Sequence, residues 1–345
     1  MISMRYLRPP TPAEYDRLVL KLLQEPRELR PDQHVVSRVL LERFAEAVGA
    51  KGERKVRYLN RSRPSAKPID RGPAGCGKFT NFIRYASKAS EQVWAETETL
   101  LHSAIDAAES GDFFRTSRHQ DVVREAIILH TVRSIPMLII SEQTWREHHD
   151  RHITRWMTER REALVHLHRE RFGWTPDESG LRVMAEDLIA SLSAQMDRGI
   201  YFHATVVERF RRYKRMLAKQ PVELRRLTDG ELLISDVPVL ALREGSLGTG
   251  PLENHGIENC DELVLPLSPR LLAVLGAGRG YSTMDAASVD RINAAQIRAS
   301  ADYVYMRPGS GLESFVRTSM PEVHPNRIPS DLRQTKVPTT FARTV

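Results

Sequence analysis

The stretch Gly72-Pro73-Ala74-Gly75-Cys76-Gly77-Lys78 has the spacing of a loop whose backbone N–H groups cradle phosphates while a lysine reaches the outermost one. Such a loop needs a hydroxyl at its final position to bind Mg2+. This chain has Phe79 there, with Thr80 one step late. The preceding Ser65–Arg71 does not read as a buried strand, and no strongly apolar helix follows at once. The stretch therefore reads as a flexible Gly-rich turn. A second candidate is the set His148, His149, His152, His166 and His168. His148 and His152 fall one helical turn apart on one face and could share a metal ion. The arginines around them disfavour a bound cation, so a solvated polar face is the expectation. A third candidate is an Arg-to-His spacing, which occurs from Arg161 to His166 and from Arg124 to His130. In such a pair the arginine stabilises a phosphate and the histidine moves protons near its ordinary pKa. In a chain this rich in arginine the spacing also arises by chance.

Composition bounds what these residues can serve. With 345 residues, 41% hydrophobic and 28% charged, the chain can bury a substantial core. No apolar run is long enough to span a bilayer. The opening Met1-Ile2-Ser3-Met4-Arg5-Tyr6 lacks the apolar core of a secretory signal. Cys76 and Cys260 are the two cysteines, too few for a disulfide framework, so a reducing cytoplasm is the expected setting. The net charge of +7 favours phosphate-rich partners, although 51 basic residues are interspersed with 44 acidic ones.

The elements that must position any site follow from pattern and punctuation. Thr11-Pro12-Ala13-Glu14 has the capping-box form and opens a helix carrying Leu18, Leu20, Leu22 and Leu23, which ends at Glu25-Pro26. Asp32 is placed to cap a second helix through Val35, Val39, Leu40 and Phe44. Lys55–Leu59 alternates charge with apolar bulk and reads as a strand. Helical periodicity covers Ser90–Ala108, Arg118–Ser134, Leu138–Arg171, and a region opened by Thr175-Pro176-Asp177-Glu178 that runs to about Lys219. Val222–Leu227 and Leu232–Ile234, joined through Asp229-Gly230, predict a β-hairpin. Val239–Leu242, Leu263–Leu265, Leu271–Val274 and Tyr303–Tyr305 predict further strands, and Met284–Ala299 a helix. Helices gathered in the middle and strands gathered late predict an α+β fold, with a helical layer packed on a mainly antiparallel sheet. The expected organisation is an N-terminal helical arm over 1–32, one α+β domain over 33–320 and a poorly packed tail over 321–345. Within the domain, 90–220 is helical and 222–306 is rich in β-structure.

Several short signatures recur in one order along the chain. They are His34, Arg38 and Phe44; Leu129-His130-Thr131-Val132-Arg133-Ser134-Ile135-Pro136; Ser235-Asp236-Val237-Pro238; and Pro266-Leu267-Ser268-Pro269. Together they resemble the bacterial family known as domain of unknown function 4238, over roughly residues 33 to 306. Two departures stand out. Val36-Ser37-Arg38-Val39-Leu40 occupies the place where that family often has Pro-x-Phe/Tyr-Leu, and Val237 stands where it often has asparagine. The family has no established activity, so the resemblance implies an architecture and singles out positions.

His34, Arg133 and Asp236 are the positions at which it suggests a site. Histidine exchanges protons near neutrality, arginine clamps a phosphate or carboxylate, and aspartate orients a histidine or binds a cation. Each also has a structural role available. Asp236 before Val237-Pro238 is good turn chemistry, Arg133 could cap a helix C-terminus, and His34 could be a satisfied residue near a helix start. The leading functional expectation is a cytoplasmic enzyme acting on a phosphate-containing partner such as nucleic acid, for instance a defence or toxin-type nuclease. There His34 would serve as general base or acid, Arg133 would stabilise phosphate charge, and Asp236 would orient His34 or hold Mg2+. The cofactor is unknown, with Mg2+ as one candidate. The other expectation is a non-catalytic protein-binding or regulatory module.

Overall fold

The computed structural model describes residues 32–49, 52–80, 82, 88–197, 200–243, 257 and 260–320. The helix expected after Thr11, the rest of the arm up to residue 31, and the tail over 321–345 lie outside the described residues.

Charge alternating with bulk makes strand β3 (Glu53–Asn60), flanked in the chain by β1 (Asp32–His34), helix α1 (Arg38–Arg43) and β2 (Glu46–Val48). Val56 on one side of β3 faces the main core, and Leu59 on the other faces a smaller apolar cluster. After β3 come β4 (Ile69–Arg71) and β5 (Lys78–Thr80). The expected loop over Ser62–Gly77 therefore contains a short strand, which pairs with β3.

The helical layer begins with α2 (Lys88–Ser110) and α3 (Ser117–Val132). Thr116 caps α3, its hydroxyl accepting the Arg118 N–H at 3.2 Å. Ser134 and Pro136 then stop α3 and start α4 (Ile135–Glu159), because proline fits the first turn of a helix and not its interior. The long helix expected over Leu138–Arg171 divides at Arg160, giving α5 (Arg161–Phe172), which Gly173 closes at φ 77°. The region expected to run to Lys219 holds α6 (Glu178–Asp197) and α7 (Ile200–Met216), and residues 198–199 between them lie outside the described residues. α4, α5 and α6 share their own core of Ile153, Leu164, Leu181, Met184, Ala185 and Ile189.

The later chain supplies β6 (Val222–Leu227), β7 (Ile234–Ser235), β8 (Leu240–Leu242), β9 (Glu262–Ser268), β10 (Leu271–Leu275), β11 (Gly280–Met284), α8 (Ala286–Ala299), β12 (Tyr303–Met306) and α9 (Glu313–Ser319). One five-stranded sheet has the order β11-β6-β10-β9-β8, antiparallel except for the β11–β6 pair. Its strands β9 and β10 are apolar almost throughout and buried on both faces, and α3 packs against β6, β9 and β10. The second sheet runs β2-β3-β12-β7, with Leu59 opposite Val304 and Tyr58 opposite Tyr305. A two-stranded ribbon, β1 with β5, stands apart from both. The fold is α+β with antiparallel-dominated sheets.

The expected hairpin across Asp229-Gly230 does not form. The turn is present, with Gly230 at φ 72° and its N–H on the Asp229 carboxylate, but β6 and β7 enter different sheets. Residues 232–241 are buried throughout. Side chains of α8 satisfy this segment's backbone in place of a hairpin partner: Asn293 takes the Leu233 N–H at 2.9 Å and Gln296 the Ser235 N–H at 3.1 Å. Two amides on one helix face thus divert the chain into the second sheet, where Tyr305 and Val304 complete the pairing.

Candidate active site

Three elements distant in sequence meet at the start of α1. β1 sets His34 directly opposite Lys78 of β5. Ser37 sits at the N-cap of α1, where serine ordinarily satisfies the helix's own N–H groups, yet its hydroxyl caps nothing. It donates instead to Oε1 of Glu98, on α2, at 2.7 Å. The Ser37 N–H donates to Nε2 of His130, on α3, at 3.1 Å. Arg133, at the C-cap of α3, donates from Nη2 to the same Glu98 oxygen at 2.7 Å. His34 stands beside these groups, with Lys78, Glu98 and Arg133 all acting on its charge.

The two histidines are held differently. His130 is buried, and its Nδ1 donates to the Ala126 carbonyl at 2.8 Å, which fixes Nε2 as the acceptor for Ser37. Burial first, and the Arg133 charge second, depress its pKa from 6.5 to about 4. It is therefore a neutral strut. Because the folded pKa lies below the unfolded one, His130 contributes stability that is full above pH 6.5 and is lost as pH falls through 4. Its ring resonances should accordingly titrate near 4 in an NMR pH series; titration near 6.5 would contradict this geometry.

His34 is half-buried, and the Ala74 carbonyl accepts a hydrogen bond from its ring. Nε2 is shielded from solvent and has no hydrogen-bond partner, so the bonded nitrogen is Nδ1. The neutral ring then carries its proton on Nδ1 and a lone pair on Nε2. Burial, then Lys78, then Arg133 lower its pKa, against the opposing pull of Glu98 and Ala74. An orphaned buried ring nitrogen costs about 1–3 kcal/mol, a cost that a bound water or ligand would relieve. Burial disfavours the Glu98 carboxylate, but Arg133, Ser37 and His130 outweigh it and hold the carboxyl below its usual range. The cluster is thus a neutral imidazole with a free lone pair beside two cations and one ionised carboxylate.

Asp236 lies elsewhere. Its Oδ1 accepts the Ala301 N–H at 2.7 Å, and its Oδ2 accepts the N–H groups of Asp302 at 2.7 Å and Tyr303 at 2.9 Å. The carboxylate ties the end of α8 to the start of β12. Burial, then the neighbouring Asp302, push its pKa up to about 7 against the pull of those three donors. Arg133 thus acts on the charge of His34, whereas Asp236 is not among the main groups that do, and its oxygens accept from three main-chain donors. That arrangement does not fit an aspartate orienting His34 or holding Mg2+. The other late signature is a turn as well, since the Pro269 carbonyl between β9 and β10 accepts the Leu232 N–H at 2.9 Å.

The Gly-rich stretch is a turn. Pro73–Gly75 forms one turn of 3-10 helix, and strand β5, not a helix, follows it. The Gly75 N–H goes to Gly72, that of Cys76 to Pro73 and that of Gly77 to the Tyr305 hydroxyl, so none faces a phosphate cradle. Gly77 is required at φ 65°, where a Cβ would meet Leu41 at 2.8 Å. What the turn does is deliver Lys78 to His34. Among the described residues, no three His, Cys, Asp or Glu side chains are placed to hold a metal ion, and the side chain of His148 lies outside them. Arg124 turns to the Gln220 carbonyl and Asp121, and Arg161 to Glu178, so each Arg of the Arg-to-His spacings has another partner.

Ser37 and Glu98 were not foreseen as site residues, and Lys78 was singled out only as the lysine of a candidate phosphate loop. The one signal in the sequence was local. Ser37 stands directly before α1, between Val36 and Arg38, and its hydroxyl caps no N–H of that helix.

Fold and cluster together define an α+β protein with a partly buried ionic cluster at the junction of a β-ribbon and two helices. Residues 32–310 match the family model described as "Protein of unknown function (DUF4238)", which spans most of the chain, and the protein belongs to that family. No curated protein matches the chain, and no solved structure does. Among the described residues no helix is long and apolar enough to cross a membrane.

Proposed function

We propose that the protein is a phosphoester-cleaving enzyme acting on nucleic acid, with His34 as its proton acceptor. The observation that carries this is the lone pair on His34 Nε2, buried and without a partner, beside Lys78 and Arg133. A phosphate placed there would meet two cations, and a hydroxyl placed there would meet a base. In the step, Nε2 takes the proton of the attacking hydroxyl, and its oxygen bonds to phosphorus. The bond from phosphorus to the leaving oxygen breaks, and that oxygen takes a proton from solvent. Arg133 and Lys78 stabilise the charge that gathers on the phosphoryl oxygens. Glu98, gripped by Arg133 and Ser37, keeps the arginine in place. The net charge of +7 supports a polyanionic partner. A defence or toxin-type nuclease is one concrete form, and the two buried free thiols suit a reducing cytoplasm.

The test is to incubate the pure protein with RNA, single-stranded DNA and duplex DNA, with and without Mg2+. At least one should be cleaved, and cleavage should fall by about 10²–10⁴ in His34→Gln. Failure to cleave any of them overturns the reading. One observation favours the alternative of a non-catalytic protein-binding module: Phe172 at the end of α5 and Trp174 in the turn to α6 are exposed, as are Leu167 of α5 and Val183 of α6. That alternative gains if nothing is cleaved.

A further inference from the structure

We infer that the substrate is RNA in unpaired stretches, cleaved by attack of its own ribose 2′-hydroxyl on the adjoining phosphate. This rests on the proposed role of His34 and goes beyond it in naming the nucleophile.

The donor set is the first argument. Hydrolysis of a phosphodiester by water demands a strong means of making hydroxide, usually metal ions held by several carboxylates or histidines. Around His34 the charged neighbours are instead Lys78 and Arg133, with Glu98 as the carboxylate already gripped by Arg133 and Ser37. Two cations and one committed carboxylate would repel a divalent ion more than hold it. Asp236, the other carboxylate singled out by sequence, is spent on three main-chain N–H groups. Lysine and arginine stabilise phosphoryl charge as a metal would, but they do not ionise a bound water.

The base is the second argument. The His34 lone pair lies in a shielded position among cations, which makes it a weaker base than an exposed imidazole. A weak base suits a nucleophile that the substrate itself holds against phosphorus. Such intramolecular attack has an effective molarity of about 10⁵–10⁸ M. In RNA the 2′-hydroxyl is that group, and it is what DNA lacks. Nε2 takes the 2′-hydroxyl proton, and O2′ bonds to phosphorus. The bond from phosphorus to O5′ breaks, and O5′ takes a proton from solvent. The products are a 2′,3′-cyclic phosphate and a 5′-hydroxyl, with no change of oxidation state. In a duplex the ribose is held away from in-line geometry, hence the preference for unpaired stretches.

The experiment uses the full chain and three oligonucleotides of one unstructured sequence: RNA, DNA, and RNA carrying a single 2′-deoxy nucleotide 5′ to the cleavage point. EDTA is present in half of the reactions. RNA should be cleaved to cyclic-phosphate ends at a rate EDTA leaves unchanged. DNA should resist by at least about 10³-fold, and the single 2′-deoxy substitution should block its own site equally. Lys78→Ala, on an exposed side chain, should slow RNA cleavage while leaving the melting curve unmoved. Cleavage of DNA at a comparable rate, or its loss in EDTA, overturns the 2′-hydroxyl inference and leaves His34 as a phosphodiesterase base. Absence of cleavage in all three overturns both.

Discussion

Asp236→Ala should destabilise the protein by roughly 3–5 kcal/mol, because one buried and two part-buried N–H groups lose this acceptor at once. Those donors belong to Ala301, Asp302 and Tyr303, where the chain leaves α8 and enters β12. β12 is the central strand between β3 and β7, so the loss would spread through the second sheet. Asp236→Asn should fall between the two proteins, since its amide offers one oxygen where the carboxylate offered two. The carboxylate also carries a pH signature. Its folded pKa, about 7, lies above the ordinary 3.8, so its favourable contribution is full below 3.8 and is lost as pH rises through 7. Urea midpoints at pH 5 and pH 8 should therefore differ more for the natural protein than for Asp236→Asn. Equal differences would mean that the three donors, and not burial, govern this carboxylate.

Arg133→Ala should lower turnover by about 10²–10³, the loss seen when one fixed donor to developing phosphoryl charge is removed. It should also cost about 2–3 kcal/mol of stability, less than a fully buried pair would, because the Glu98 side chain is 31% exposed. The two effects separate in a double variant. Arg133→Ala with Glu98→Gln removes the uncompensated carboxylate and should recover most of the stability, while turnover stays low. If turnover returns with stability, Arg133 serves only to neutralise Glu98, and the phosphate role falls. The same pair tests His34 indirectly, since Arg133 lowers and Glu98 raises its pKa. Removing both should leave the pH profile of any residual activity less displaced than removing either alone.

Much of the architecture was legible from local pattern. Thr116, Ser134 and Pro136 mark the boundaries of α3 and α4 by capping chemistry that depends on neighbours in sequence alone. The apolar runs of β9 and β10 announce buried strands for the same reason. Where one long helix was expected over Leu138–Arg171 and two were found, no glycine or proline marks the break at Arg160. The hairpin across Gly230 failed for a tertiary reason, because amides of α8, some sixty residues on, compete for the backbone of β7.

By itself the sequence determined most of the long helices and the apolar core strands, the α+β class, the family, and the presence of His34 and Arg133 as groups able to move a proton and hold a phosphate. These depend on spacing and side-chain type, which are written residue by residue. The tertiary structure alone decided who shares a site. It set Lys78 across a strand pair from His34, brought Glu98 and His130 to Ser37, and assigned Asp236 to three main-chain donors. Those choices turn on which buried polar groups find partners across long separations in the chain, and no short stretch of residues encodes that.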